Sequence, residues 1–268
     1  MPPLQALLAD GHEIAVVVTQ PDRRRGRGGA VVPTPVKAAA VQAGLRVTDR
    51  VDDVVDAGVE LGVVVAFGKL IKPHVLERVP MVNLHFSLLP RWRGAAPVER
   101  AILAGDTETG VCLMGLEEGL DTGPVYRREA VEVGADETAA ELRERLVAVG
   151  TCLLVEALRQ GLGDPEPQVG EPTYAAKLDP DELRLDWARA ADELERVVRV
   201  GRAWTTFRGR RLIVLRACAH RVTGAGVVVP TGTDPMELLL VQPEGRGPMA
   251  AADWARGARW RPGEPLGS

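Results

Sequence analysis

The sequence predicts an α/β fold built on a doubly wound, mostly parallel sheet, followed by a small C-terminal β-barrel domain. Three observations carry that expectation. In the first two thirds, β-branched runs such as "EIAVVV" and "LGVVVAF" alternate with alanine-rich segments closed by glycine. Such alternation marks strands covered on both faces and joined by crossover helices. A stretch dense in Gly and Pro, "GLGDPEPQVGEPTY", then breaks the pattern, and beyond it short strand-like runs follow one another closely, as in small barrels or sandwiches.

Taken in order, "PPLQALLADG" reads as a short helix with Pro at its start and Gly at its stop. The run around residues 14–19 is a strand, "TPVKAAAVQAG" (34–44) a helix, and residues 61–67 a second strand. "MVNLHF" (81–86) is a third strand and "PVERAILAG" (97–105) another helix ended by Gly. "GVCLMGL" and "PVYRREAVEV" are extended segments flanking a turn-rich loop. A long helix starts at Thr138, where Thr138 and Glu141 form a capping box and Leu142, Leu146, Val149 and Leu153 keep helical spacing. Residues 1–162 therefore form one domain, 163–174 a linker, and 175–268 a second domain with a helix at "ADELERVVRV" and strands at "RLIVLRA", "GVVV" and "ELLLVQ".

Composition narrows the function classes. With 46% hydrophobic and 26% charged residues the chain is an ordinary globular one, and no run approaches the ~20 apolar residues of a membrane span. The N-terminus has no basic segment ahead of its apolar residues, so a secretory signal is not expected and the cytoplasm is. Cys112, Cys152 and Cys218 are scattered and read as reduced thiols; with four histidines in no ligand spacing, no metal is expected. The net charge of −4 is uneven: from Ala175 onward there are 15 basic against 12 acidic residues, and Arg199–Arg221 holds seven arginines and no acid. A second basic run, "RRRGRGG", spans 23–29. Two such runs in an acidic chain favour a polyanionic partner.

The stretch "NLHFSLLPRWRGAAPVER" (83–100) carries the chemistry. Side chains alternate faces along a strand, so Asn83, His85 and Ser87 share one side while Val82, Leu84 and Phe86 share the other. The polar set points toward the C-terminal edge, where open α/β sheets bind ligands. An amide can donate to a developing oxyanion and an imidazole can carry a proton near neutral pH, a pair suited to attack on a carbonyl carbon. The loop "SLLP" offers main-chain groups for a flat polar ring. Asp121, between Gly119 and Gly123 in "GLDTGPVY", is the candidate carboxylate for His85.

The line "NLHFSLLPRWRGAAPVERAILAGDTETGVCLMGLEEGLDTG" resembles the folate-dependent formyltransferases. "VVTQPDRRRGRGGAVVPTPVK", "TYAAKLDPDELRLDW" and "VQPEGRGPMAAADWARGARWRPG" are similar to the branch that formylates initiator tRNA. The resemblance implies a Rossmann-like first domain and an oligonucleotide-binding-like (OB-like) second one. It implies transfer of a formyl group from 10-formyltetrahydrofolate to the amine of methionine on initiator methionyl-tRNA, by a monomer. The family's catalytic trio falls on Asn83, His85 and Asp121, and its folate-binding segment on Ser87, Leu88, Leu89 and Pro90. The loop carrying Arg23, Arg24, Arg25 and Arg27 is expected at the tRNA acceptor end. Arg208, Arg210 and Arg211 are expected on the tRNA-facing side of the second domain.

Two departures from the family stand out. Its members begin with a strand and a Gly-Thr-Pro turn ahead of the helix that here starts at Pro2, so a sheet lacking its first, central strand is expected. The region between His220 and Val227 also lacks a strand that relatives carry. Hence two other outcomes are weighed: a formyltransferase for a different amine, such as a sugar nucleotide or glycinamide ribotide, and an inactive folate- or RNA-binding remnant.

Overall fold

The computed structural model describes residues 1–25, 30–219 and 223–267. The first part of the chain contributes α1 (Pro2–Ala9), β1 (Val17–Val18), β2 (Arg23–Arg25), β3 (Ala30–Val32), α2 (Pro35–Gln42), β4 (Val47–Thr48), α3 (Asp53–Asp56) and β5 (Gly62–Val65). Then come α4 (Pro73–Leu76), β6 (Met81–His85), β7 (Arg93–Gly94), α5 (Pro97–Ala104), β8 (Glu108–Gly115), β9 (Val125–Glu132), α6 (Ala139–Gln160) and β10 (Tyr174–Ala175). The remainder, after a 3-10 turn at Pro180–Leu183, holds α7 (Ala191–Val200), β11 (Trp204–Phe207), β12 (Arg210–Cys218), β13 (Val227–Val229), β14 (Met236–Pro243), β15 (Met249–Ala250) and α8 (Ala251–Ala258). Among the described residues no helix is long and apolar enough to cross a membrane.

The chain divides into two compact units. One comprises Met1–Pro97, Glu108–Glu132 and Glu144–Ala175; the other comprises Val98–Thr107, Val133–Arg143 and Ala176–Ser268. The Gly/Pro-rich segment 163–174, read from the sequence as a linker, thus groups with the first unit, while 98–107 and 133–143 group with the second.

In the first unit the sheets are mixed. β1 pairs β4 in parallel, and β5, β6, β8 and β9 form a four-stranded sheet in that order. Its β5–β6 pair is parallel, but β6–β8 and β8–β9 are antiparallel. A mostly parallel, doubly wound sheet is therefore corrected to a mixed one, because apolar runs such as "GVCLMGL" look the same in either direction. Among the described residues β1 and β5 do not pair; the Gln20 side chain, just past β1, donates to the Phe67 carbonyl at 2.9 Å.

Local chemistry starts the helices. The Thr34 hydroxyl accepts from the Lys37 N–H, and Pro35 supplies the preset first helical residue of α2. Thr138 and Glu141 exchange main-chain and side-chain hydrogen bonds ahead of α6. The buried stripe of α6 runs Leu142, Leu146, Leu154 and Ala157, leaving Val149 and Leu153 half-exposed. Gly150 completes that stripe: a Cβ there would lie 3.0 Å from Val111 and 3.6 Å from Leu84, so the helix backbone comes down onto β8 and β6. This contact seats the apolar face of β6 and leaves its other face for polar work.

The second unit is one antiparallel sheet in the order β11-β12-β14-β13, with β15 also on β14. Among the described residues β11 and β13 end the sheet without pairing to each other, so the small barrel expected from the strand spacing is a curled half-barrel sheet. A bulge at Val214/Arg216 bends β12. α7 and α8 cover one face, burying Leu194, Val197 and Trp254 against Leu212, Val214, Met236 and Val241. Phe207 meets Trp254 edge-on at 5.3 Å. Glu237 is buried in this unit, where its carboxylate accepts from the Thr223 and Gly226 N–H groups at 2.6 Å each.

Candidate active site

β6 delivers two polar side chains into the first unit. Its partners are known residue by residue: Asn83 lies opposite Met114 and His85 opposite Cys112 on β8. The Asn83 amide is half-buried and makes no hydrogen bond among the described residues. A carboxamide left unpaired beside a buried imidazole is available to a ligand oxygen. His85 is buried at 5% exposure, and both of its nitrogens face protein acceptors. Nε2 lies 2.8 Å from the Trp92 carbonyl, and Nδ1 lies 3.6 Å from Asp121 Oδ2. A carbonyl only accepts, so Nε2 carries a hydrogen in this arrangement.

Asp121 reaches His85 from the loop between β8 and β9. Its backbone sits in the left-handed region at φ 51°, which aspartate tolerates better than most residues. Asp121 Oδ2 also accepts from the Gly94 N–H at 2.8 Å. The flanking glycines are steric requirements: a Cβ on Gly123 would fall 2.0 Å from the Gly115 carbonyl, and one on Gly119 would strike the Thr122 side chain.

The loop after β6 is pinned from several sides. The Ser87 hydroxyl, fully buried, donates to the Arg91 carbonyl at 2.5 Å. The Leu89 N–H donates to Cys112 Sγ at 3.4 Å, and the Leu89–Pro90 peptide is cis. Burial pushes the Cys112 thiol up, and the Leu89 N–H offsets only part of that. Leu89 itself is buried with Cys112, Met114 and Val125. Leu88 packs where any side chain on Gly110 would collide with it. The four residues Ser87–Pro90 are therefore a fixed loop whose shape is set by β8.

Segment 163–174 closes the ring of contacts. Glu166 exchanges two main-chain hydrogen bonds with Val125. β10 pairs in parallel with β7, and the Thr173 hydroxyl accepts from the Trp92 N–H at 2.9 Å. Gln168 joins three partners. Its Oε1 accepts from Arg93 Nε at 3.1 Å and Nη2 at 2.7 Å, and its Nε2 donates to the Asp121 and Gly123 carbonyls at 2.9 and 2.8 Å.

The arginines expected to touch nucleic acid separate into different situations. Arg23, Arg24 and Arg25 form β2, which pairs antiparallel with β3, while Arg27 lies outside the described residues. The base of this ribbon is braced by Lys37 on Asp22 at 2.7 Å and by Thr19 with Thr34 at 2.9 Å. In the second unit Arg208 is tied to Glu264 by Nε and Nη2, and this pairing holds the Glu264 carboxyl below the usual carboxylate range. Arg210 is exposed, 3.9 Å from Glu244, and Arg211 lies over the Trp204 ring at 4.3 Å. Arg199, from the same basic run, donates to the Gly134 and Glu137 carbonyls, a structural use of the charge.

The structure thus brings Asn83, His85, Asp121 and the Ser87–Pro90 loop into one neighbourhood. Sequence reasoning missed the Trp92 carbonyl, the Gly94 N–H, Cys112, Thr173 and Gln168. Main-chain groups have no residue-type signature, and Gln168 sits in a stretch whose Gly and Pro content reads as a spacer. The one available hint was "TYAA", a short extended run directly after it.

Comparison with known proteins shows the family. The Formyl transferase family model matches residues 4–158, and the model of the formyl transferase C-terminal domain matches residues 177–259. The chain is 44% identical to the methionyl-tRNA formyltransferase of Dinoroseobacter shibae, over 96% of this chain and 93% of that one. The methionyl-tRNA formyltransferase of Clostridium thermocellum superposes with a TM-score of 0.59 at 16% identity, over 80% of this chain and 96% of that one. HypX of Aquifex aeolicus, solved in complex with tetrahydrofolic acid, superposes with a TM-score of 0.60 at 17% identity, over 81% of this chain and 43% of that one.

Proposed function

Because the chain belongs to the formyl transferase family, we propose that it transfers a formyl group from 10-formyltetrahydrofolate to the amine of methionine on initiator methionyl-tRNA, acting in the cytoplasm as a monomer. The observation that carries this reading is an Asn83 amide without a hydrogen-bond partner among the described residues, on the same face of β6 as a His85 ring held between Trp92 and Asp121.

When bound, the folate supplies an electrophilic formyl carbon. The residues that would hold it are Ser87, Leu88, Leu89 and Pro90, a loop anchored by the buried Ser87 and Leu89. Fit is supported by Asn83, whose half-exposed amide leaves a donor for a carbonyl oxygen. As the neutral amine adds to the formyl carbon, charge develops on the oxygen and Asn83 Nδ2–H donates to it. His85 faces the Trp92 carbonyl through Nε2 and the Asp121 carboxylate through Nδ1. Asp121 holds the ring, which is placed to relay the proton lost by the amine to the folate N10 as the bond from N10 to the formyl carbon breaks and tetrahydrofolate leaves.

The second unit and the β2–β3 ribbon would hold the tRNA through Arg23, Arg24, Arg25, Arg27, Arg208, Arg210 and Arg211, mainly by phosphate contact. The same reading assigns catalysis to residues 1–162 and tRNA binding to an OB-like sheet within 175–268, with 163–174 between them. The test is a competition assay: charged initiator tRNA against a sugar-nucleotide amine and glycinamide ribotide, each with 10-formyltetrahydrofolate. Formylation of the tRNA alone is the expected result. Preference for a small amine, or tRNA binding with no transfer at all, would overturn it.

A further inference from the structure

We propose that Gln168 is a positioning residue that sets the Asp121 carboxylate against His85, an inference that rests on the reading of Asp121 given above. The side chain lies in the Gly/Pro-rich segment ahead of β10 and touches neither His85 nor the Asp121 carboxylate. It acts on the Asp121 backbone instead. Gln168 Nε2 donates to the carbonyls of Asp121 and Gly123, which bracket the left-handed turn at Asp121. Both amide hydrogens are therefore used, on two carbonyls two residues apart.

The orientation of this amide is fixed by chemistry. Arg93 can only donate, and its Nε and Nη2 converge on Gln168 Oε1. A flipped amide would press its NH2 against the guanidinium and its oxygen against two carbonyls, losing all four contacts. Arg93 thus polarises and aims the amide, and the amide holds the loop. The neighbouring residue of β7 completes the clasp from the other side, since the Gly94 N–H donates to Asp121 Oδ2. Two adjacent residues, Arg93 and Gly94, locate the carboxylate together: one through Gln168 and the main chain, the other directly. The 3.6 Å separation between Asp121 Oδ2 and His85 Nδ1 is the distance this clasp controls. A left-handed turn with few buried apolar anchors has little else to keep it, because Asp121 is flanked by Leu120 at 50% exposure and, two residues away on either side, by Gly119 and Gly123.

The test uses the full chain with 10-formyltetrahydrofolate and charged initiator tRNA. Gln168→Met keeps the volume and removes every polar contact; Gln168→Glu keeps the bond to Arg93 but sets an acceptor against both carbonyls. Each is expected to lower kcat by tenfold or more while both KM values change less than threefold. In the Asp121→Asn background the same substitutions should cost less than twofold further, because their effect passes through Asp121. Additive losses, or a loss confined to KM, would overturn the proposal. So would a kcat that recovers at a lower temperature in step with the folded fraction measured by circular dichroism. If Asp121→Asn alone keeps the full rate, the role given to Asp121 fails first, and the single-variant result shows it without reference to Gln168.

Discussion

The two polar regions of the molecule are built on opposite plans. Around His85, the donors other than the Asn83 amide meet named acceptors, and the groups come from β6, from the loop after β8 and from segment 163–174. On the second unit, Arg210 and Arg211 extend from a sheet surface with one distant carboxylate and one aromatic ring for company. The first plan depends on direction and on displacements of a few tenths of an ångström. The second depends on summed charge, which tolerates displacement and is screened by salt. Substitutions should therefore produce large, local and salt-insensitive effects in one region and small, graded and salt-dependent effects in the other.

The sharpest contrast comes from Asn83→Ala. Losing one oxyanion donor costs on the order of a hundredfold in rate, so kcat should fall by about that factor while folate affinity changes only a few-fold. Single-turnover kinetics measure both; equal losses would remove Asn83 from the reacting centre. Next in size is Gly123→Ala. The added methyl would meet the Gly115 carbonyl at 2.0 Å, a main-chain atom that cannot rotate away. Overpacking of this kind costs about 1–3 kcal/mol, and the shifted loop should take Asp121 with it. Urea denaturation and kcat should both record the change; a variant with wild-type values in both would mean that the loop is looser than its contacts indicate.

Much of this was legible in the residues themselves. The two-residue period of β6 separates Asn83 and His85 from Val82 and Leu84, and that period is a property of the strand alone. Thr138 with Glu141 announced its helix because capping is local, and the alanine-rich run closed by Gly44 announced α2. Other features required the folded chain. Strand direction was invisible, since "GVCLMGL" buries the same side chains in either sense, and β8 proved antiparallel to β6. The stripe of α6 was misplaced by one position after Leu146 because Gly150, a residue with no hydrophobic signal, marks where the backbone comes close to Leu84 and Val111. Gln168 was hidden for a related reason: its partners are main-chain carbonyls forty-five and forty-seven residues away.

Glu237 extends the comparison into the second unit, whose interior is as directional as the active site although its surface is not. Burial alone would raise this carboxyl, but N–H groups of Thr223 and Gly226 with the Thr223 hydroxyl outweigh it and leave it lowered. A carboxyl lowered in the folded state contributes stability above its unfolded value, near 4.3, and that contribution is lost as pH falls through the folded value. Glu237→Gln should lower Tm by about 3–6 °C at neutral pH and flatten the loss of stability on acidification. Calorimetry between pH 7 and 3 checks both; a variant whose acid limb parallels the wild type would show that other carboxylates govern it.

The smallest effects belong to the surface arginines, and there the comparison can be tested within one strand and its turn. Arg210 and Arg211 are exposed, whereas Arg208 is clasped by Glu264 and lies over Phe207 at 4.5 Å. A phosphate can recruit Arg210 at once, but it must compete with a carboxylate for Arg208. Arg210→Ala and Arg211→Ala should each weaken tRNA binding by roughly threefold to tenfold and reduce the slope of log affinity against log salt by about 1. Arg208→Ala should leave that slope nearly unchanged and show its loss in stability instead, at about 1 kcal/mol or less for an exposed pair. Filter binding between 50 and 300 mM salt resolves the two outcomes. If Arg208 proves to carry the salt dependence and Arg210 does not, Glu264 is displaced by the nucleic acid, and the clasp seen here describes the free protein alone.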